Sequence, residues 1–223
     1  MATSELSEAT RVRGPGRALA FFAIAVVIGH HIGTAAAPLG EVGSTRWADW
    51  IDLLVPVSVL GAAAFVLRAS KTAPQTWVVY AVGALLYAEG HGIHLAANSI
   101  GNELDYGSTG HLWDEVIGHY VWYAGLAVVV VAMALALCGA ALRSWTRWPL
   151  AAVVGVTWTT NGIEGGTPWF SLGIAVALAV WGLRRRDDAG RMLMAAFGLS
   201  ALLFASFGIW QGGFPEFTEL GWV

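Results

Sequence analysis

Residues 113–142 read WDEVIGHYVWYAGLAVVVVAMALALCGAAL, a stretch that opens with two carboxylates and a histidine and then becomes apolar. Between Tyr120 and Leu142 it contains no Asp, Glu, Lys, Arg or His. A helix needs about 20 consecutive, mostly apolar residues to cross the hydrocarbon core of a bilayer. The stretch therefore predicts a membrane-spanning helix whose ionisable residues are gathered at one end.

Six further runs in the chain share this apolar character: residues 17–39, 50–67, 76–100, 149–163, 168–183 and 192–210. The whole sequence is 57% hydrophobic and 12% charged, whereas a soluble domain is about a quarter charged. We therefore expect an all-α integral membrane protein, a single seven-transmembrane helix bundle over residues 17–223 after a flexible cytoplasmic tail over residues 1–16. This composition excludes a disordered chain and a nucleic-acid binder. The single cysteine, Cys138, excludes an internal disulfide and a thiolate-rich metal cluster.

The basic residues predict the orientation of this bundle. With seven spans, eleven of the 12 Lys and Arg residues fall in the tail and the loops of one side, and Arg46 alone falls on the other. Basic loops stay cytoplasmic, so we expect the N-terminus inside and the C-terminus outside a bacterial-type plasma membrane. The excess of Arg over Lys is compatible with a GC-rich bacterial genome.

Ionisable side chains collect on the predicted outer side, which carries all six histidines: His30, His31, His91, His94, His111 and His119. Glu89, His91, Glu115 and His119 lie inside or at the very edge of apolar runs. There an ionisable group costs at least ~2.5 kcal/mol and is normally tolerated only when it faces a bundle interior or a wet cavity. The sequence therefore predicts one polar pocket that opens outward, toward the periplasm.

Helical spacing predicts which side chains line this pocket. One face of the third run carries, at alternating spacings of four and three, Tyr80, Ala84, Tyr87, His91, His94 and Asn98. In the fourth run His111, Glu115 and His119 are spaced four residues apart and therefore share one helix face. Asp114 lies about 100° from that face. If these faces meet, the third-run histidines lie at the depth of Glu115 and His119. Glu89 lies roughly 160° from His91 and is expected to face another helix or the far wall of the pocket.

Imidazole and carboxylate groups without a thiolate suit zinc, iron or manganese. We expect a transition metal, with zinc preferred, whose ligands are His91, His94, His119 and Glu115. The expected catalytic bases are Glu115, Asp114 and Glu89. Further groups expected to bind or orient ligands are His30, His31, Asn98, Asn161, Glu164 and Gln211. Because the pocket opens at a leaflet, a lipid or another amphipathic molecule is the natural substrate, and the leading hypothesis is a metal-dependent hydrolase.

Three alternatives stay open. The polar groups could form an internally satisfied packing network. Two histidines on facing helices could hold iron or a b-type haem in a membrane oxidoreductase. The cluster could also belong to a non-enzymatic metal or proton sensor or to a transport subunit, although the inner halves of the runs contain almost no ionisable residue. The partners expected from the sequence are the lipid bilayer and a lipid substrate, and residues 211–223 could fold back as a lid.

Seven spans around an embedded histidine and carboxylate site resemble the superfamily of alkaline ceramidases and adiponectin-receptor-type proteins. The match consists of His91 or His94 at the end of one run and Asp114 near the start of the next. The resemblance implies a zinc amidohydrolase that acts on lipids. The chain departs from the family's serine motif, with Tyr87 and Gly90 where a serine is required, and its last run has no histidine.

Overall fold

The computed structural model describes residues 13–105, 107–142 and 144–222 of the chain. Within these residues the helices are α1 (Arg13–Gly29), α2 (Ile32–Ala36), α3 (Trp47–Asp52), α4 (Val55–Ala69), α5 (Pro74–Glu103), α6 (Gly107–His111), α7 (His119–Ala136), α8 (Ser144–Glu164), α9 (Pro168–Arg184) and α10 (Asp188–Gln211). A short 3₁₀ helix, Ala37–Leu39, follows α2, and a π-helical segment, Leu112–Gly118, joins α6 to α7. The strands β1 (Glu41–Val42) and β2 (Thr45–Arg46) form a small antiparallel pair.

Every apolar run of the sequence is mostly helical, and the all-α class is confirmed. Helix α1 already begins at Arg13, inside the predicted tail, whose residues 1–12 lie outside the described part of the chain. The helical structure is interrupted between α1 and α2 and again between α3 and α4, so two of the predicted runs form interrupted helices.

Within the described residues, three helical segments are long and apolar enough to cross a membrane: Trp47–Ala69, Gly107–Ala136 and Asp188–Gln211. The pair Gly14–Gly29 and Ile32–Leu39, bent by 54° at its break, is a fourth candidate. Helix α9 is apolar but shorter. Helices α5 and α8 are long, but their polar residues lower their mean hydropathy. Length and composition thus support three to four spanning helices.

Apolar side chains cover the outside of the bundle. Phe21, Ile24, Leu85, Leu202 and Ile209 lie on three different helices, and each is more than half exposed. Monomeric soluble proteins rarely expose large contiguous apolar patches. The surface is therefore consistent with contact between these helices and hydrocarbon.

Long helices alternate in direction, which gives the bundle two chemically different ends. The end that holds His30, His94 and Glu164 is called the histidine end below. At the opposite end, here called the basic end, Arg147 pairs with Asp188 and Arg185 pairs with Asp187. The side chain of Asp187 also accepts a hydrogen bond from the N–H of Gly190 and so caps the start of α10.

Helices α5 and α7 pack together more closely than any ordinary pair of side chains would allow. A Cβ atom on Gly83 would lie 3.0 Å from the carbonyl oxygen of Gly125, and one on Gly90 would lie 2.8 Å from that of Gly118. The two backbones touch because no side chain separates them, as is common between membrane helices. A Cβ on Gly118 would lie 3.0 Å from the Cα of His94. This close contact therefore fixes where α5 presents His94 to α7.

Candidate functional site at the histidine end

A cavity of about 460 Å³ lies at the histidine end. It is bounded by the kink after α1, by α3, by the outer part of α5, by the π segment with α7, and by the turn after α8. Seven of the residues predicted for the pocket line it: His30, His94, Asn98, Glu115, His119, Asn161 and Glu164. The cavity is the place where the polar groups of five helical segments converge.

The π-helical segment Leu112–Gly118 positions the two carboxylates that begin the fourth run. In such a helix each N–H bonds five residues back, so side chains five apart approach one face. Asp114 consequently points at α5 and is buried, with its Oδ1 2.7 Å from Nδ1 of His94. Glu115 instead lines the cavity. In a regular α-helix Asp114 would point away from that interface, so helical periodicity alone does not predict this pairing.

Three imidazole–carboxylate pairs surround the cavity. Besides His94 and Asp114, the Nε2 atom of His91 lies 3.3 Å from Oδ2 of Asp52. The Nδ1 atom of His119 lies 3.3 Å from Oε2 of Glu115, one helical turn before it. Asp52 was not among the predicted site residues. Asp49 and Asp52 are three residues apart in α3 and therefore share a helix face, and the packing of α3 on α5 brings Asp52 to His91.

Trp122 lies at the centre of the histidine cluster. Its ring centroid is 4.7 Å from that of His91, 5.3 Å from that of His30, 5.6 Å from that of His94 and 5.9 Å from that of His119. The rings of His94 and His119 are also in direct contact, with centroids 4.3 Å apart. Trp122 is 6% exposed. Trp122 therefore shields one side of each of the four imidazoles from water. The other side of His30, His94 and His119 faces the cavity.

The cavity histidines share one arrangement, in which an oxygen atom lies next to Nδ1. Nδ1 of His94 lies beside the Asp114 carboxylate, and Nδ1 of His119 lies 3.1 Å from the carbonyl oxygen of Glu115. Nδ1 of His30 lies 2.9 Å from the carbonyl oxygen one turn before it. An oxygen next to Nδ1 favours the neutral imidazole that is protonated there, so Nε2 carries the lone pair. This is the tautomer that a metal ligand or a general base requires. In His30 the Nε2 atom lies 3.4 Å from the Tyr87 hydroxyl.

Amide side chains brace the cavity walls. The Asn161 amide donates to the carbonyl oxygen of Thr157 at 2.9 Å, and its own backbone carbonyl accepts the hydroxyl of Tyr123 at 2.9 Å. On the other wall, Oδ1 of Asn98 accepts a hydrogen bond from Arg46 at 3.2 Å. Both amides are thus held in place at the cavity surface.

Carboxylates dominate the charge of the cavity, whose acidic lining residues are Asp49, Asp52, Glu115, Glu164 and Glu216. Arg46 is the basic residue of the lining, and its Nη2 is neutralised by Oδ1 of Asp49 at 2.6 Å. Burial raises the pKa of Glu216 above its ordinary value, and the carboxylates of Glu115 and Glu164 raise it further. The cavity therefore favours protons and cations over anions.

The segment after α10 folds back over the cavity, as the lid hypothesis allowed. Glu164 accepts hydrogen bonds from the backbone N–H groups of Phe217, at 2.7 Å, and Thr218, at 3.4 Å. Phe214 packs edge-on against Trp169, with ring centroids 4.9 Å apart. Glu216 and Thr218 are thereby part of the cavity wall.

Besides Asp114, four of the predicted residues lie outside the cavity lining. Glu89 is exposed on the outward face of α5. His91 is buried behind Trp122, outside the cavity lining. His31 is exposed, and its Nε2 lies 3.3 Å from the Thr160 hydroxyl. Gln211 is the last residue of α10 and is not part of the cavity lining.

The donor set has the chemistry of a metal site, but its atoms are not gathered around one point. Among the residues that the structure describes, no three His, Cys, Asp or Glu side chains converge closely enough to hold a metal ion. His94 and His119 are in contact, whereas Glu115 turns toward Nδ1 of His119. Comparison of the chain with protein-family models, curated proteins and solved structures finds no match.

Proposed function

We propose that the chain is a seven-span membrane protein with its basic end in the cytoplasm and its histidine end outside, in a bacterial-type plasma membrane. The positive-inside rule supports the orientation. Helix α5 turns Gly90 and His91 to the interior and Leu85 to the outside, so it can span although its mean hydropathy is low. Helix α8 likewise buries Thr157 and Thr159. Polar groups that face the bundle do not prevent insertion.

We further propose that the cavity is the site of a metal-dependent hydrolase for a lipid or another amphipathic substrate. The contact between the rings of His94 and His119 carries this proposal, since each ring has an oxygen atom next to its Nδ1. A carboxylate or carbonyl behind a ligating imidazole is the usual support of a metal-binding histidine. Two imidazoles with Glu115 make a three-ligand set of the kind that catalytic zinc uses.

The residue types are those that bind zinc. To become a ligand, the Glu115 side chain must turn away from Nδ1 of His119. This side chain is 31% exposed and follows the cavity wall, one turn before His119. His91 would join the ligands only by leaving Asp52, so we assign it a supporting position. Zinc, when bound, supplies a Lewis acid and lowers the pKa of a coordinated water. The chain itself must then bind, orient and exchange protons with the substrate.

Each carboxylate suits a different task. Asp114 is buried against His94 and orients that ring. We assign Glu164, which also lines the cavity, to take a proton from water. Glu89, on the outside of α5, is too far around the helix to act there. Asn161 and Asn98 would orient a substrate carbonyl or hydroxyl group at the cavity surface.

One alternative has an observation in its favour. All three imidazole–carboxylate pairs are already formed, which is what a proton-linked sensor or transport subunit requires. Direct contact between the rings of His94 and His119 is less compatible with a haem between them.

Metal analysis separates these functions. We expect the purified protein to hold near-stoichiometric zinc, and the His94→Ala/His119→Ala variant to lose it while remaining folded. His111→Ala is the matched control, because His111 is exposed outside the cavity. Iron in place of zinc would indicate the oxidoreductase. No bound metal in the unmodified protein after zinc is added back would overturn the proposal in favour of the proton-linked site.

A further inference from the structure

Glu89 lies at the middle of the long helix α5. About 22 Å of helix separates it from Pro74 and about 21 Å from Glu103. The hydrocarbon core of a bilayer is about 30 Å thick, so Glu89 lies near the midplane if α5 spans the membrane as proposed. It is exposed on the face opposite to the buried residues Tyr87 and His91. A carboxyl group therefore faces hydrocarbon at this depth.

This position is unfavourable unless another helix covers it. An ionised carboxylate is strongly disfavoured in hydrocarbon, and even a neutral carboxyl group loses the hydrogen bonds that it makes with water. Ionisable residues in membrane helices accordingly pair with one another or face a polar interior. In the described part of the chain, the Glu89 side chain has no hydrogen-bond or ion-pair partner. Its partner is therefore expected outside the single chain.

The residues around Glu89 have the spacing of a helix–helix contact. At alternating intervals of four and three residues, α5 exposes Val78, Val82, Leu85, Glu89, Gly92 and Ala96. These six residues are called the Glu89 seam below. Their spacing is that of the core positions of a left-handed coiled coil, where a single polar residue fixes the register. The small residues Gly92 and Ala96 allow two membrane helices to approach closely, and Ala in place of Gly92 would preserve this.

A second copy of the chain is the partner that fits the Glu89 seam. Copies of one membrane protein insert with the same orientation, so a two-fold axis between them runs along the membrane normal. The two α5 helices are then parallel, and each seam residue lies at the depth of the same residue in the other copy. A neutral carboxyl group has one O–H donor and acceptor oxygens. Two Glu89 side chains therefore satisfy each other, which an apolar partner cannot do.

We propose that the protein forms a parallel dimer through the Glu89 seam, with the two Glu89 carboxyl groups hydrogen-bonded to each other. This inference depends on the proposed span of α5 and is independent of the metal site. The opposite side of α5 carries the glycine contact with α7, at Gly83 and Gly90. The dimer contact and the contact that positions His94 thus use different sides of one helix, and each copy keeps its own cavity.

Single-molecule photobleaching in liposomes tests the dimer. The protein is labelled at its single cysteine, Cys138, which is exposed, and is studied at a series of protein-to-lipid ratios. We expect two bleaching steps for the unmodified protein. Glu89→Leu should weaken association about 5- to 30-fold, as expected for an interhelical hydrogen bond in a membrane. Glu89→Gln should remain dimeric because an amide also donates and accepts. Single steps for the unmodified protein, or equal association of Glu89→Leu, would overturn the inference.

Two further variants test whether the seam itself is the contact. Ala96→Phe should lower the dimer fraction by placing a large ring in the seam, whereas Ala205→Phe, on the exposed side of α10, is the matched control and should not. In a Cys138→Ser background, Leu85→Cys should form a disulfide-linked dimer on oxidation and Leu202→Cys should not. Cross-linking through Leu202→Cys alone, or equal dimer fractions for the two Phe variants, would overturn the inference.

Failure of the dimer is distinguishable from failure of the proposed topology and of the metal site. In the Cys138→Ser background, Glu89→Cys should resist a membrane-impermeant maleimide applied to intact liposomes. Labelling from water would overturn both the span of α5 and the seam, whereas a protected cysteine with single bleaching steps would overturn the seam alone. The His94→Ala/His119→Ala variant should dimerise like the unmodified protein, and a dimer that requires these histidines would overturn the inference.

Discussion

Replacing Gly90 with Ala should destabilise the bundle, whereas the same replacement at Gly92 should not. Gly90 lies against the backbone of α7, where a new Cβ would stand 2.7 Å from the Cα of Trp122 and 2.8 Å from the carbonyl oxygen of Gly118. Gly92 is exposed, and a Cβ there would meet nothing within 4 Å. The two variants carry the same Gly→Ala substitution in the same helix, α5, and differ only in the atoms that the new Cβ contacts.

The size of the effect follows from this geometry. An ordinary van der Waals contact of a Cβ begins at 3.4 Å, so the gap to Trp122 Cα falls short by 0.7 Å. Backbone atoms cannot rotate away, and overpacking of this kind costs about 1–3 kcal/mol. Ala also gains about 0.5–1 kcal/mol over Gly in a helix, but the gain is common to both variants. Their free energies of unfolding should therefore differ by about 1–3 kcal/mol.

Thermal unfolding in one detergent, followed by circular dichroism, measures this difference. For a chain of this size, 1–3 kcal/mol corresponds to a melting temperature roughly 2–12 °C lower for Gly90→Ala than for Gly92→Ala. Because the same interface sets the distance between His94 and His119, Gly90→Ala should also bind less zinc. Equal melting temperatures for the two variants would refute the direct backbone contact between α5 and α7.

Two further predictions concern the two ends of the bundle. The Arg185 guanidinium lowers the pKa of Asp187 from 3.8 to about 2, so the carboxylate stabilises the fold above pH 4 and this contribution fades as the pH falls toward 2. Asp187→Ala should lower the free energy of unfolding by about 1 kcal/mol at pH 7 because the helix cap is lost, and Asp187→Asn should lower it by less. Chemical denaturation at pH 7 and pH 3 measures both variants. A loss of stability that does not shrink at pH 3 would contradict the lowered pKa of Asp187. Glu164→Ala should raise the hydrogen-exchange rate of the Phe217 and Thr218 amides by roughly 10- to 150-fold, since hydrogen bonds to a charged group contribute about 1.5–3 kcal/mol. Mass spectrometry measures these rates. Unchanged rates would show that aromatic contacts alone hold this segment.

The amino-acid sequence determined most of the helical elements and the end of the bundle at which the cavity lies. Long apolar runs satisfy their backbone only as helices in hydrocarbon, and each run is mostly helical. The spacing of His94 and Asn98 on one face of α5 was sufficient to place both at the cavity. The concentration of His and Glu at one end likewise predicted where the cavity lies. These features depend on the residues of one helix and on its periodicity.

Tertiary structure alone decided which polar groups meet. Asp52 reaches His91, and Trp122 lies among four imidazoles, because of the neighbours and rotations that α3, α5 and α7 adopt in the bundle. The π-helical segment moves Asp114 onto His94, where it packs with Gly118 against α5. Side-chain pairing across helices depends on distances of a few ångströms between segments far apart in the chain, and the periodicity of a single helix contains no information about them.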